Sequence, residues 1–155
     1  ALGRAWRRLR GGIVIRSQLD YRILDHASQV PADAWAREDL FVERFLPEFE
    51  DGLYHVRSYL FLGTADTAQR LSGPSPILQV RTSVSLLECE PHPDIVALRH
   101  RLGFDYGKFD YTVHEGRAVL LDINKTTGGG RLDGHPVVEG LRRRRAQGLY
   151  GWLRG

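Results

Sequence analysis

Apolar and polar residues alternate most regularly over 52–63 (GLYHVRSYLFLG), and this period of two between bounding glycines predicts a full-length strand. IVIR at 13–16 predicts a short strand after Gly11-Gly12, with an Arg-rich frayed or truncated helix before it and polar chain to about residue 30. Residues 31–39 read as a short helix opened by Pro31, and 40–46 as a β-rich run ended by Pro47. A second strand is expected over 76–87, after the turn-rich 72–76. Residues 92–103 carry Ile95, Leu98 and Leu102 at helical spacing, with Asp94 as a candidate N-cap and Gly103 as the stop. YGKFDYTVH (106–114) and RAVLLDIN (117–124) flank Glu115-Gly116, a hairpin signal. A last helix is expected from about Pro136 to Trp152, with Val138, Leu141, Leu149 and Trp152 on its apolar stripe. Hairpin strands with separate helices argue for an α+β fold, with a largely antiparallel sheet and helices packed on one face.

Composition narrows the class. At 155 residues and 42% hydrophobic, the chain suits a single globular domain. No segment approaches the ~20 apolar residues of a membrane span, and no signal peptide is visible. Cys89 stands alone, so neither a disulfide framework nor a cysteine zinc site is expected, and the six histidines lack metal spacing. The cytoplasm is therefore the expected compartment. The sequence contains no Met, even at its first position, which reads as a fragment or an excised domain. Residues 11–141 hold all 19 acids against 13 bases, while residues 1–10 and 142–155 are purely basic. Basic ends allow nucleic-acid contact, but Arg142 to Arg145 fit the solvated face of a helix and aromatic interleaving is sparse, so nucleic acid is not the expected partner.

The chemistry concentrates on one hairpin. Asp122 and Asn124 are two residues apart on a strand and share a face. A turn at Glu115-Gly116 pairs residues whose numbers sum to 231 or 232, which sets Asp110 opposite 121 or 122. Two carboxylates and an amide oxygen suit Mg²⁺. The competing reading has Asp122 capping the strand end and binding the loop TTGGG (126–130).

The segment LGFDYGKFDYTVHEGRAVLLDIN (102–124), preceded by LFVERFLPEFEDGLYHVRSYLFLG (40–63), resembles the ATP-grasp superfamily of carboxylate–amine and carboxylate–thiol ligases. Asp110, Asp122 and Asn124 match that family's metal motif, with Asp122 where Glu is commoner. The resemblance implies ATP and Mg²⁺ as cofactors. It places Glu43, Arg44, Phe45 and Leu46 on the linker strand at the adenine edge, and Glu50 (with Glu48 as the alternative) on the ribose hydroxyls. Lys108 and Arg57, and more weakly Arg81, would face phosphates or the acyl intermediate. Ordinary cross-strand ion pairs are the other reading of both arginines. Lys125 and residues 126–130 resemble the loop that follows the metal Asn, and Arg16 falls near the family's lysine.

In the family's terms, 1–39 would be a remnant of the preceding subdomain without its glycine-rich lid, and 40–155 the C-terminal subdomain. The implied chemistry activates a small-molecule or peptide carboxylate as an acyl phosphate, which an amine or thiol then attacks. A catalytically incomplete nucleotide-binding module and a basic-ended interaction module are the alternatives.

Overall fold

The computed structural model describes residues 12–16, 21–79, 83–127 and 135–153. Three strands, β1 (Gly12–Arg16), β2 (Tyr21–Leu24) and β3 (Phe41–Phe45), form a small antiparallel sheet in the order β2-β1-β3. The larger sheet contains β4 (Glu48–Glu50), β5 (Leu53–Leu62), β6 (Ala65–Gly73), β7 (Ser85–Cys89), β8 (Tyr106–His114) and β9 (Arg117–Asn124). Its order is β7-β6-β5-β8-β9, with β4 paired to β5 and every pairing antiparallel. Three helices complete the described residues: α1 (Pro93–Leu102), α2 (Pro136–Ala146) and the short α3 (Leu149–Leu153). The mixed α+β class with a mostly antiparallel sheet agrees with the sequence pattern.

Alternation on β5 decides how the sheet packs. Tyr59 and Phe61 point to one face and join Phe109, Tyr111, Ala68 and Ile95 of α1 in the buried core. Phe109 meets Phe61 and Phe104 edge-on at 5.1 and 5.4 Å, the favoured arrangement of aromatic quadrupoles. Arg99 locks α1 onto this face. Its Nη2 donates to the Gly63 carbonyl at 2.5 Å, its Nη1 to the Tyr59 hydroxyl at 3.1 Å, and its guanidinium lies 4.4 Å from the Phe61 ring centroid.

The opposite face carries α2, where Arg145 Nη1 donates to Thr67 Oγ1 at 3.2 Å and Arg144 pairs with Glu88. Thr67 pairs in register with Leu60, whereas Ala68 pairs with Tyr59, so the two helices lie on opposite faces. The expectation of helices on a single face is corrected accordingly.

Other expectations shift for local reasons. Residues 31–39 form only a 3₁₀ turn over Ala32–Ala36, closed by Ala34 N–H to Pro31 carbonyl at 2.9 Å. Of the strand expected over 76–87, the described residues 76–79 and 83–84 are not strand, β7 begins only at Ser85, and residues 80–82 lie outside the described ones. β2, β4 and β6 occupy segments where no strand is expected from sequence. His92, not Asp94, caps α1, accepting the Asp94 N–H on its ring at 3.2 Å, while Gly103 ends the helix in the left-handed conformation as predicted. The terminal helix breaks after Ala146 because Gly148 passes against β5. A Cβ there would sit 1.7 Å from the Leu62 carbonyl oxygen.

The Tyr59 phenol is buried and donates to Asp66 Oδ2 at 2.6 Å, which pushes its pKa up to about 12. A raised phenol pKa favours the neutral form in the fold. The stabilisation is therefore complete below the unfolded value near 10 and is lost as pH rises through about 12. Ultraviolet titration should show a phenol that resists ionisation until about pH 12 and disappears in Tyr59→Phe; ionisation of all the phenols together near 10 would contradict this assignment.

Candidate functional site

The core fixes one face of β8 inward, with Gly107, Phe109 and Tyr111 buried, and thereby turns Tyr106, Lys108, Asp110, Thr112 and His114 to the α2 face. The hairpin turn Glu115-Gly116 has positive φ at both residues (50° and 73°), the type I′ pattern that suits a two-residue connection. It sets His114 opposite Arg117 and Tyr111 opposite Leu120, a sum of 231. Continued unchanged, that register would put Asp110 against Leu121 and turn Asp122 toward the core. A shift between Asp110 and Tyr111 prevents this, leaving Leu121 unpaired and changing the sum to 232. Asp110 then faces Asp122, and Lys108 faces Asn124.

Lys108 Nζ lies 2.6 Å from Asp110 Oδ2, and the Ser58 hydroxyl donates to Asp110 Oδ1 at 2.5 Å. Asn124 Nδ2 donates to Asp122 Oδ2 at 2.7 Å. Asp122 is exposed, whereas Lys108, Asp110 and Asn124 are half-buried. One ammonium thus opposes two carboxylates, and the cluster keeps an excess negative charge. The donor set of two carboxylates, an amide oxygen and a hydroxyl fits a hard, oxygen-seeking cation that retains water ligands. Among the described residues no three His, Cys, Asp or Glu side chains gather around a common point, so Asn124 and Ser58 would have to complete such a set.

The segment connecting the two sheets reaches the same face. Thr112 Oγ1 donates to the Leu46 carbonyl at 3.0 Å and His114 Nδ1–H to the Pro47 carbonyl at 2.9 Å. The Phe45 ring lies 6.5 Å from that of Tyr54, a residue with the same strand parity as Ser58. Leu46 and Phe45 are therefore brought to the Asp110 face. Glu43 and Arg44 lie on β3 within the small sheet, paired in register with Val14 and Ile13. At the other end, the Tyr106 hydroxyl lies 2.6 Å from Thr127 Oγ1 and accepts from the Thr127 N–H at 3.3 Å. Those bonds hold its pKa below the ordinary phenol value, with the Arg145 charge assisting.

Arg57 is not brought to this cluster. Its neighbour Ser58 faces Asp110, so Arg57 turns to the α1 face, where its Nε lies 3.0 Å from both Glu48 oxygens and its Nη2 2.7 Å from Oε1. That contact raises the guanidinium pKa despite partial burial. Glu48 also accepts the Val113 N–H at 2.8 Å. Arg57 and Glu48 thus form the cross-strand ion pair that was the other reading of this arginine. Glu50, two residues after Glu48, shares its face and pairs with Arg70 at 3.5 Å, away from Asp110. Lys125 and Thr126 are exposed beside the cluster. Arg81 and residues 128–130 lie outside the described residues, as does the side chain of Arg16.

Ser58 and Thr112 belong to this face and are not singled out by the sequence, and Arg145, expected on the solvated face of its helix, is instead half-buried here against Thr67. Counting by twos from Asp110 reaches Thr112, but Ser58 becomes visible only once one register pair between β5 and β8 is known. No family model, curated protein or solved structure matches the chain.

Because Glu48 is 7% exposed and neutralises a guanidinium that is itself largely covered, Glu48→Gln leaves a poorly solvated cation. Chemical denaturation should show a loss of about 3 kcal/mol; a variant as stable as the parent would show that the pair contributes nothing net.

Proposed function

We propose that the Asp110 face is a magnesium–nucleotide site of ATP-grasp type, serving ATP-dependent activation of a carboxylate for attack by an amine or thiol. The observation that carries this reading is the register that sets Asp110 against Asp122 and Lys108 against Asn124, matching the acid and acid-x-Asn pattern in the sequence. The order of groups along β8 adds support. Thr112 and His114 hold the Leu46–Pro47 connection, Asp110 and Lys108 stand in the middle, and Tyr106 holds the loop after Asn124. Thr112 to Tyr106 spans about 20 Å of extended strand, room for a nucleotide followed by an acyl group.

In this reading Asp110, Asp122 and Asn124 hold Mg²⁺, which supplies charge neutralisation for phosphoryl transfer. Lys108 steadies transferring oxygens, and Ser58 orients the Asp110 carboxylate. Arg57, Glu48 and Glu50 have no part, since they face the opposite side of the sheet. The nucleic-acid alternative is disfavoured by Arg142 and Arg144, which are engaged with Glu139 and Glu88.

Mg·ATP at about a hundred times its dissociation constant should stabilise the fold by about 2.7 kcal/mol, a rise of roughly 5–10 °C in melting temperature at this size. Asp122→Ala combined with Asn124→Ala should abolish the rise. An unchanged melting curve in saturating Mg·ATP would refute the nucleotide reading. Release of ADP and phosphate with candidate carboxylates and amines separates an enzyme from a passive binder.

A further inference from the structure

Arg145 is set apart from the other covered arginines by what surrounds it. Among the described residues, Arg57, Arg70, Arg99 and Arg142 are all substantially removed from solvent, and each faces a carboxylate: Glu48, Glu50, Asp66 and Glu139. Arg145 is half-buried too, yet its hydrogen bond is to the neutral Thr67 hydroxyl at 3.2 Å. Burial and the nearby Arg142 push its pKa down, and of its neighbours only the Tyr106 phenol pushes the other way. A guanidinium has five N–H donors, so among the described residues most of its hydrogen-bonding capacity is left for a ligand.

Its place on the sheet gives that capacity a direction. Thr67 pairs with Leu60, Leu60 with Lys108, and Lys108 with Asn124, forming one row across four strands on the α2 face. Thr67 is two strands from Lys108, about 10 Å, a gap that an arginine and a lysine reaching toward each other close around a small anion. Tyr106 and Thr127 provide hydroxyls at the same end, remote from the Leu46 connection.

We propose that Arg145 is a ligand-binding residue: it receives an oxyanion, carboxylate or phosphate, seated between itself and Lys108. This takes the place that sequence reasoning gave to Arg57. The proposal rests on the nucleotide reading only for what lies beside the anion. A planar fork of donors suits either oxyanion, so the two sources must be separated by experiment.

The test titrates acetate and inorganic phosphate into the full chain while following the Arg145 Nε–H resonance by NMR, with and without Mg·ATP and Mg·ADP. At least one probe should move this resonance, and Arg145→Gln should weaken that probe's binding at least tenfold, while Arg145→Lys retains part of it. The shift in melting temperature caused by Mg·ADP should be unchanged in both variants. Acetate binding that persists beside Mg·ATP identifies a carboxylate seat; phosphate binding that Mg·ATP displaces and Mg·ADP permits identifies the position of a transferred phosphoryl group. Binding of both probes undiminished in Arg145→Gln would overturn the proposal, as would an Arg145 resonance that neither probe moves. That second readout needs only the parent chain and stands even if the glutamine variant folds poorly. Loss of the Mg·ADP shift in the parent chain would refute the nucleotide reading while leaving the anion seat standing or falling on its own data.

Discussion

The edge-on seating of Phe109 between Phe61 and Phe104 determines which way β8 faces. With Tyr59, Tyr111 and Ile95 it forms a core whose largest side chains have no exposed surface. A slip of one residue would expose those rings and bury Lys108 and Asp110, exchanging favourable apolar burial for the desolvation of charges. The polar face is thus specified by the apolar one. The register of β8 therefore does not depend on Asp110 or Lys108, which pair with each other, and Asp110 with Ser58, on the opposite face.

Charge is divided between the two faces by the same logic. Among the described residues, the covered arginines of the α1 face are matched: Arg57 to Glu48, Arg70 to Glu50, and Arg99 to Asp66 together with two backbone carbonyls. These pairs hold strands and helix in place. On the α2 face the matching is incomplete among the described residues, with one lysine among two carboxylates at one end of a row and an arginine that faces no described acid at the other. Polar groups left short of partners have an affinity to spend on a ligand, whereas satisfied ones do not.

Sequence periodicity revealed β5, the β8–β9 hairpin, α1 and its glycine stop because each carries an unbroken local signal. It missed β6, whose TADTAQRLSG mixes small and polar residues and is held as a strand by pairing on both sides. It began β7 too early, since the run before Ser85 continues the strand-like composition with no sequence signal to mark where pairing starts. The acid cluster was legible because two residues on one strand and a countable turn suffice to locate it. Arg57 could not be assigned from spacing alone: its face depends on the β5–β8 register, a non-local quantity. Arg145 was hidden for a related reason, since a run of four arginines on a helix looks uniform until one of them is turned toward Thr67 by the packing of α2.

The unpaired Leu121 has a consequence for how this segment tolerates change in length. It acts as a phase shifter within β9. Strand positions on its two sides follow different counting frames, and only the frame beyond it projects Asp122 and Asn124 outward. Loss of one residue here would restore a perfectly regular hairpin with an intact turn and a better-paired ladder. The same loss would leave Asp122 opposite Asp110 and Asn124 opposite Lys108, whereas pairing Leu121 into the ladder without losing it would rotate both polar side chains toward the aromatic core. The hairpin therefore carries an irregularity that regular β pairing alone would remove, and a one-residue deletion at Leu121 should keep both polar side chains on their face.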